Sequence, residues 1–175
     1  MKPFKARKPK KSKKSKKQNV TVQALGLGAI AGMRAVAAPA LLSHYLNNDP
    51  AGALYNSPLR FLQRPLVATS LKFLAGAELI GDKLPFTPAR TKPTQLAPRL
   101  ISGAIVGATV AGANKSSKVK GAMLGMAGAL VASFGFYYLR KKLGEESHLP
   151  NVALGLMEDA IVASGGIGLM QATKK

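Results

Sequence analysis

The chain of 175 residues contains no cysteine and no tryptophan, only two histidines, and seven acidic residues against 26 basic ones. Without cysteine there is no disulfide, no thiolate metal site and no cysteine nucleophile. His44 and His148 stand far apart, and no serine occupies a G-x-S-x-G setting, so material for nucleophilic catalysis is thin. Every glycine-rich run lies inside an apolar stretch, which leaves no phosphate-cradling loop. An enzyme is therefore the less favoured class. The widest absence is of polar faces. A soluble domain of this size shows amphipathic stripes or alternating strands, and most of residues 20–173 shows neither. That disfavours a soluble basic protein such as a ribosomal one.

Basic residues are abundant and unevenly placed. Residues 1–17 hold ten Lys or Arg and no acid, and the rest of the chain carries sixteen cations against seven acids. Like charges repel and little apolar surface is available, so residues 1–19 are expected to form a disordered, lysine-rich cytoplasmic tail. Three readings of the tail stay open. It is a topology signal, or a contact for anionic lipid headgroups through residues 2–17, or a nucleic-acid arm. The last is the weakest, because only Phe4 interrupts the charge run. Ala35-Val36-Ala37 looks like a signal-cleavage site, but Arg34 falls within what would be the apolar region and argues against one.

The apolar body predicts an all-α, multi-pass transmembrane helical bundle of about five membrane-embedded helices, packed through glycine and open to broken helices. The spans fall at approximately 20–46, 66–84, 96–113, 121–139 and 149–170. Pro39 is expected to kink the first span, with Arg34 ~20 Å along it from Thr21. Residues 47–57 read as a turn-rich loop. Ser57-Pro58 reads as a cap followed by proline at the first helical position of a short helix that ends at Arg64-Pro65. Pro85, Pro88, Pro93 and Pro98 predict a stiff, extended connection. That leaves the third span short, as a partial or steeply embedded helix. Phe134, Phe136, Tyr137 and Tyr138, followed by Arg140, Lys141 and Lys142, read as an interface anchor. With the amino terminus inside, the cation count is seventeen on that side against seven on the other; without the tail it is seven each.

Ionisable residues inside apolar spans persist where they pair, face a cavity or serve a function. Arg34, Glu78, Asp82, Glu158 and Asp159 are of this kind, with Lys83, Arg90 and Arg99 near one surface. Glu78 and Asp82 share a helical face at a spacing of i, i+4. One reading is structural: Arg34 neutralises acids and fixes helix register. A second is a cavity that binds a cation or relays protons, since four carboxylates exceed the nearby cations. A third has Lys83, Arg90 and Arg99 hold a phosphate or headgroup while the acids orient them or bind metal. Glu78, Asp82, Glu158 and Asp159 supply oxygen ligands only, which suits a hard cation such as Mg²⁺ rather than zinc. The pairs Gly28/Gly32, Gly103/Gly107 and Gly121/Gly125 allow close helix approach. Packing within one chain is the ordinary use of such faces, and a homo-oligomer is the functional one.

Gly32-Met33-Arg34, the run from Glu78 through Asp82-Lys83, Pro85 and Pro88 to Arg90, Arg99 with Ser102-Gly103-Ala104, and Glu158-Asp159 resemble a family of small bacterial integral-membrane proteins filed as a domain of unknown function. The pattern Glu-x-x-x-Asp-Lys-x-Pro-x-x-Pro-x-Arg is its most specific part, and the likeness covers roughly residues 22–172. It implies a helical membrane fold with a shared polar centre in the bacterial inner membrane, and no known reaction. The leading expectation is a protein that binds or transports a small ion or polar solute through Arg34, Glu78, Asp82, Lys83, Arg90, Arg99, Glu158 and Asp159. The alternatives are a non-transporting scaffold or lipid-binding protein with structural ion pairs, and a membrane-embedded enzyme acting on a lipid phosphate.

Overall fold

The computed structural model describes residues 13–81, 93–147 and 151–174, and the described residues are helical with no strand. Six α-helices run in the order α1 (Lys13–Met33), α2 (Ala37–Asn48), α3 (Pro65–Gly81), α4 (Pro93–Ala113), α5 (Lys118–Ser147) and α6 (Asn151–Lys174). Two 3₁₀ segments, Gly52–Leu54 and Pro58–Gln63, join α2 to α3.

Glycine sets the centre. α1, α4 and α5 pack against one another more extensively than any other helices, because their facing residues have no side chains to hold the backbones apart. A Cβ on Gly28 would collide with the backbone of Gly125, one on Gly32 with Ala129, and one on Gly107 with Gly121. Close backbone approach multiplies dispersion contacts that are individually ~0.1–0.2 kcal/mol. All three glycine pairs singled out in the sequence therefore face partners within the chain. Around this trio the packing is sparser. α2 and α3 lie on each other, and α6 touches α1 and α2 through contacts such as Leu169 on Gly26 and Leu41 on Gly166.

Large apolar side chains also point outward. Leu66, Phe73 and Ile80 on α3, Val119, Met123 and Val131 on α5, and Leu156 and Met157 on α6 are all exposed. α4, with 21 residues, and Lys118–Leu143 of α5, with 26, are long and apolar enough to cross a membrane by length and composition.

Several boundaries differ from expectation. α1 begins at Lys13, so the end of the basic tail is helical; residues 1–12 lie outside the described residues. The first span is two helices rather than one kinked helix. The proline-rich connection is shorter than predicted, because Pro93 opens α4 and Pro98 lies inside it. Proline costs nothing at a first helical position, and Pro98 forfeits one bond, to the Thr94 carbonyl. At ~1.5 Å per residue α4 is ~32 Å long, so the third span is not short. α5 runs past the aromatic band to Ser147, since apolar character ends before helical character does. The 3₁₀ helix Pro58–Gln63 forms where the sequence places it. Ser57 caps it by accepting from the Leu59 N–H at 3.3 Å, and Arg64 ends it.

Gly125→Val is expected to destabilise the helical trio by at least ~1–3 kcal/mol, because its side chain has no space beside Gly103 and Gly107. Gly135→Ala, with nothing within 4 Å of the added carbon, should instead stabilise the helix by up to about 1 kcal/mol. Thermal unfolding in detergent followed by circular dichroism distinguishes them; equal effects would mean that the glycine contacts do not hold the trio.

Candidate functional site

The site begins with a missing proton. Pro39 has no backbone N–H, so the carbonyl four residues earlier, that of Ala35, cannot complete a helical bond, and the proline ring crowds it. The helix opens one turn before the proline: Arg34 N–H makes the last bond of α1, to the Ile30 carbonyl at 2.8 Å, and α2 resumes with Ala40 N–H on the Val36 carbonyl at 3.0 Å. Pro39 itself then sits in the first turn of α2, where no N–H is needed.

Each backbone group freed by the break must find a partner, since an orphaned buried polar group costs ~1–3 kcal/mol. The N–H groups of Ala35 and Val36 point to the Glu78 carboxylate on α3, at 2.7 and 2.9 Å. The Gly32 carbonyl, whose helical partner would have been Val36, accepts from Arg99 Nη1 of α4 at 3.2 Å and from Ser133 Oγ of α5 at 3.0 Å. The Ala35 carbonyl accepts from Ser102 Oγ at 2.5 Å. These partners also match the helix dipoles. The partly negative end of α1 meets arginine, and the partly positive start of α2 meets a carboxylate.

Arg34 lies at the break and is 3% exposed. Its Nη2 is 2.5 Å from Asp159 Oδ1 on α6, and its Nη1 donates to the Glu78 backbone carbonyl at 3.3 Å. The neighbouring Glu158, 2% exposed, accepts from Arg140 Nη2 of α5 at 2.8 Å. Two adjacent acids thus tie α6 to two different elements. Among the described residues the region holds three guanidinium groups (Arg34, Arg99, Arg140) and three carboxylates (Glu78, Glu158, Asp159). The excess of acid over base read from the sequence is not present among them.

A groove of about 450 Å³ between α2, α3 and α6 reaches Arg34 and Asp159. Its other lining is mostly small and apolar (Ala37, Ala40, Ala75, Val162), with His44 and Lys72 in its wall.

Of the expected site residues, Arg34, Glu78, Arg99 and Asp159 meet around the break, and Glu158 lies one residue away with a different partner. Arg99 is buried within the protein, against the Gly32 carbonyl. Asp82, Lys83 and Arg90 lie outside the described residues. No three of His, Cys, Asp and Glu gather as a metal-binding group among the described residues; the carboxylates meet arginine and backbone N–H instead. Sequence reasoning missed Arg140, read as an interface anchor, along with Ser102 and Ser133 as partners of free carbonyls. One signal for Arg140 was available: it and Glu158 stand seven residues to either side of the ends of α5 and α6, Ser147 and Asn151.

Removing one member of a buried pair strands the other, at ~3–5 kcal/mol, whereas apolar replacement of both can be neutral. Arg34→Met should therefore destabilise the protein by about that amount, and Arg34→Met with Asp159→Leu should recover most of it. Denaturation of both variants in the same detergent is the check, and a double variant no more stable than the single one would show that the pair is not what anchors α6.

Neither a curated protein nor a solved structure matches the chain. A family model does, over residues 21–167, a stretch that contains the break, the three arginines and the three carboxylates. The chain belongs to the family described as Domain of unknown function (DUF4126).

Proposed function

We propose that this chain is a multi-pass integral membrane protein that binds and moves a small polar solute at the junction of α1 and α2. The observation that carries the proposal is the broken helix itself. The apolar part of α1, Val20–Met33, has 14 residues and α2 has 12, each too short to cross a ~30 Å hydrocarbon core, and they meet end to end at a buried charged centre. Discontinuous helices whose ends face a solute and its coupling ion are a recurring device of secondary transporters. The groove gives that centre an opening, and the outward-facing Leu66, Phe73, Val119 and Val131 suit a lipid environment. On this reading the basic end of the chain, residues 2–17, lies in the cytoplasm against anionic headgroups of a bacterial inner membrane.

The second reading, a scaffold whose charges are purely structural, draws on one specific observation: Arg34 pairs with Asp159 and Arg140 with Glu158, while Arg99 and Glu78 are taken up by backbone groups of the break. It differs from the first in what the groove does. In a scaffold, Glu78→Gln and Asp159→Asn change stability alone. In a transporter both variants insert and fold, yet lose pH- or ion-dependent solute uptake in proteoliposomes at least tenfold. Uptake unchanged in both variants removes the transport reading.

A further inference from the structure

The three carboxylates of the region are satisfied very differently. Glu78 accepts two backbone N–H groups, and Glu158 accepts from Arg140. Asp159 has its contact with Arg34 Nη2, yet neither of its oxygens accepts a hydrogen bond of regular geometry, although both atoms are buried. It is also the one carboxylate of the three that lines the groove. Of the three carboxylates, Asp159 alone combines oxygens left without a regular hydrogen bond with a position on the groove.

The groove also leads somewhere. A second cavity of about 230 Å³ continues along α2 and α6, lined by Tyr45, Asn48, Asp49 and Gln171, and it shares Leu41 and His44 with the first. Both volumes far exceed the ~30 Å³ occupied by one water. His44 thus stands in the wall common to both. Asp49 caps the far end of α2 and is exposed, while Arg34 and Asp159 lie at the near end. The two ends of α2 are ~18 Å apart at 1.5 Å per residue, so an imidazole between them shortens the longest step a proton must take.

We propose that Asp159 is the proton-binding carboxylate of this protein, reached from the Asp49 end of α2 along the groove through His44. A proton from bulk water adds to one imidazole nitrogen of His44, leaves from the other, and forms an O–H bond on Asp159. Asp159 becomes neutral, its ion pair with Arg34 is lost, and the guanidinium, still charged and held by the Glu78 carbonyl, can meet an anionic solute in the groove. The groups facing Asp159 are Arg34 from the junction, His44 on α2, Lys72 and Glu78 on α3, and Glu158 beside it with Arg140 from α5; Arg99 of α4 lies across the break. This inference rests on the junction being a solute site, and names the proton as its coupling ion.

The test uses the full chain in proteoliposomes. Dicyclohexylcarbodiimide modifies protonated carboxyl groups in apolar surroundings, and mass spectrometry locates the adduct. Modification is expected at Asp159, falling about tenfold per pH unit above its titration midpoint, with Glu78 and Glu158 unmodified. Because the chain has no cysteine, Ala163→Cys in the groove wall can be compared cleanly with Met126→Cys on an outward face. A charged, impermeant thiol reagent should modify the groove position at least tenfold faster, and from one side only. Modification of Glu78 or Glu158 in place of Asp159, no pH-dependent adduct, or equal thiol reactivity at the two positions would overturn the proposal. Modification of Asp159 with no solute uptake would leave the proton site standing and remove only the transport reading.

Discussion

One backbone constraint organises this protein: a helix interrupted inside an apolar body leaves N–H and C=O groups that water cannot satisfy. Pro39 makes the interruption, and α3, α4 and α5 are each required to repair it. Glu78 serves the N–H groups of Ala35 and Val36, Arg99 and Ser133 share the Gly32 carbonyl, and Ser102 takes that of Ala35. The charged residues are therefore not an addition to a finished bundle. They complete the hydrogen bonding of its first helix, and their signs follow from which end of a half-helix each one meets.

Two kinds of cohesion result. The trio of α1, α4 and α5 is held by backbone contact through glycine, an interaction indifferent to pH, ions or ligands. α6 packs on α1 and α2 through Val162, Gly166 and Leu169 and is tied in addition through Glu158 to Arg140 and through Asp159 to Arg34. α3 leans on α2 and reaches the centre through Glu78. The parts able to respond to a change of charge are thus the peripheral ones, and they border the groove. A rigid element and a charge-dependent one meeting at a single residue, Arg34, is the arrangement a binding event needs if it is to alter helix positions.

Much of this was legible in the sequence, for identifiable reasons. Arg34, Glu78, Glu158 and Asp159 stand out because charge in an apolar run is costly wherever it is found. The glycine pairs announce close packing, and Ser57-Pro58 announces a capped turn, because both are local. Whatever depended on a partner distant in sequence was not legible. Arg99 resembles a surface cation until its carbonyl partner on α1 is known, and Arg140 resembles an anchor until Glu158 of α6 is placed beside it. Even Pro39 was only half read. Its effect falls on the carbonyl one turn upstream, which moves the break onto Arg34 and turns a kink into a site.

That displacement has a further consequence. Had the helix bent at residue 39, the freed groups would lie among Ala38, Ala40 and Leu41, and Arg34 would remain within a regular turn, one charge on a helical face. With the break at residues 34–36, the guanidinium occupies the gap between two half-helices, within reach of α3 and α6 at once. It bonds the Glu78 carbonyl and meets Asp159 from the same position. A side chain so placed can exchange one partner without losing the other. Loosening α6 does not require unfolding the break, because Glu78, Arg99, Ser102 and Ser133 hold it independently of Asp159. The junction therefore separates the interactions that keep the helix broken from the ion pair that ties Arg34 to α6.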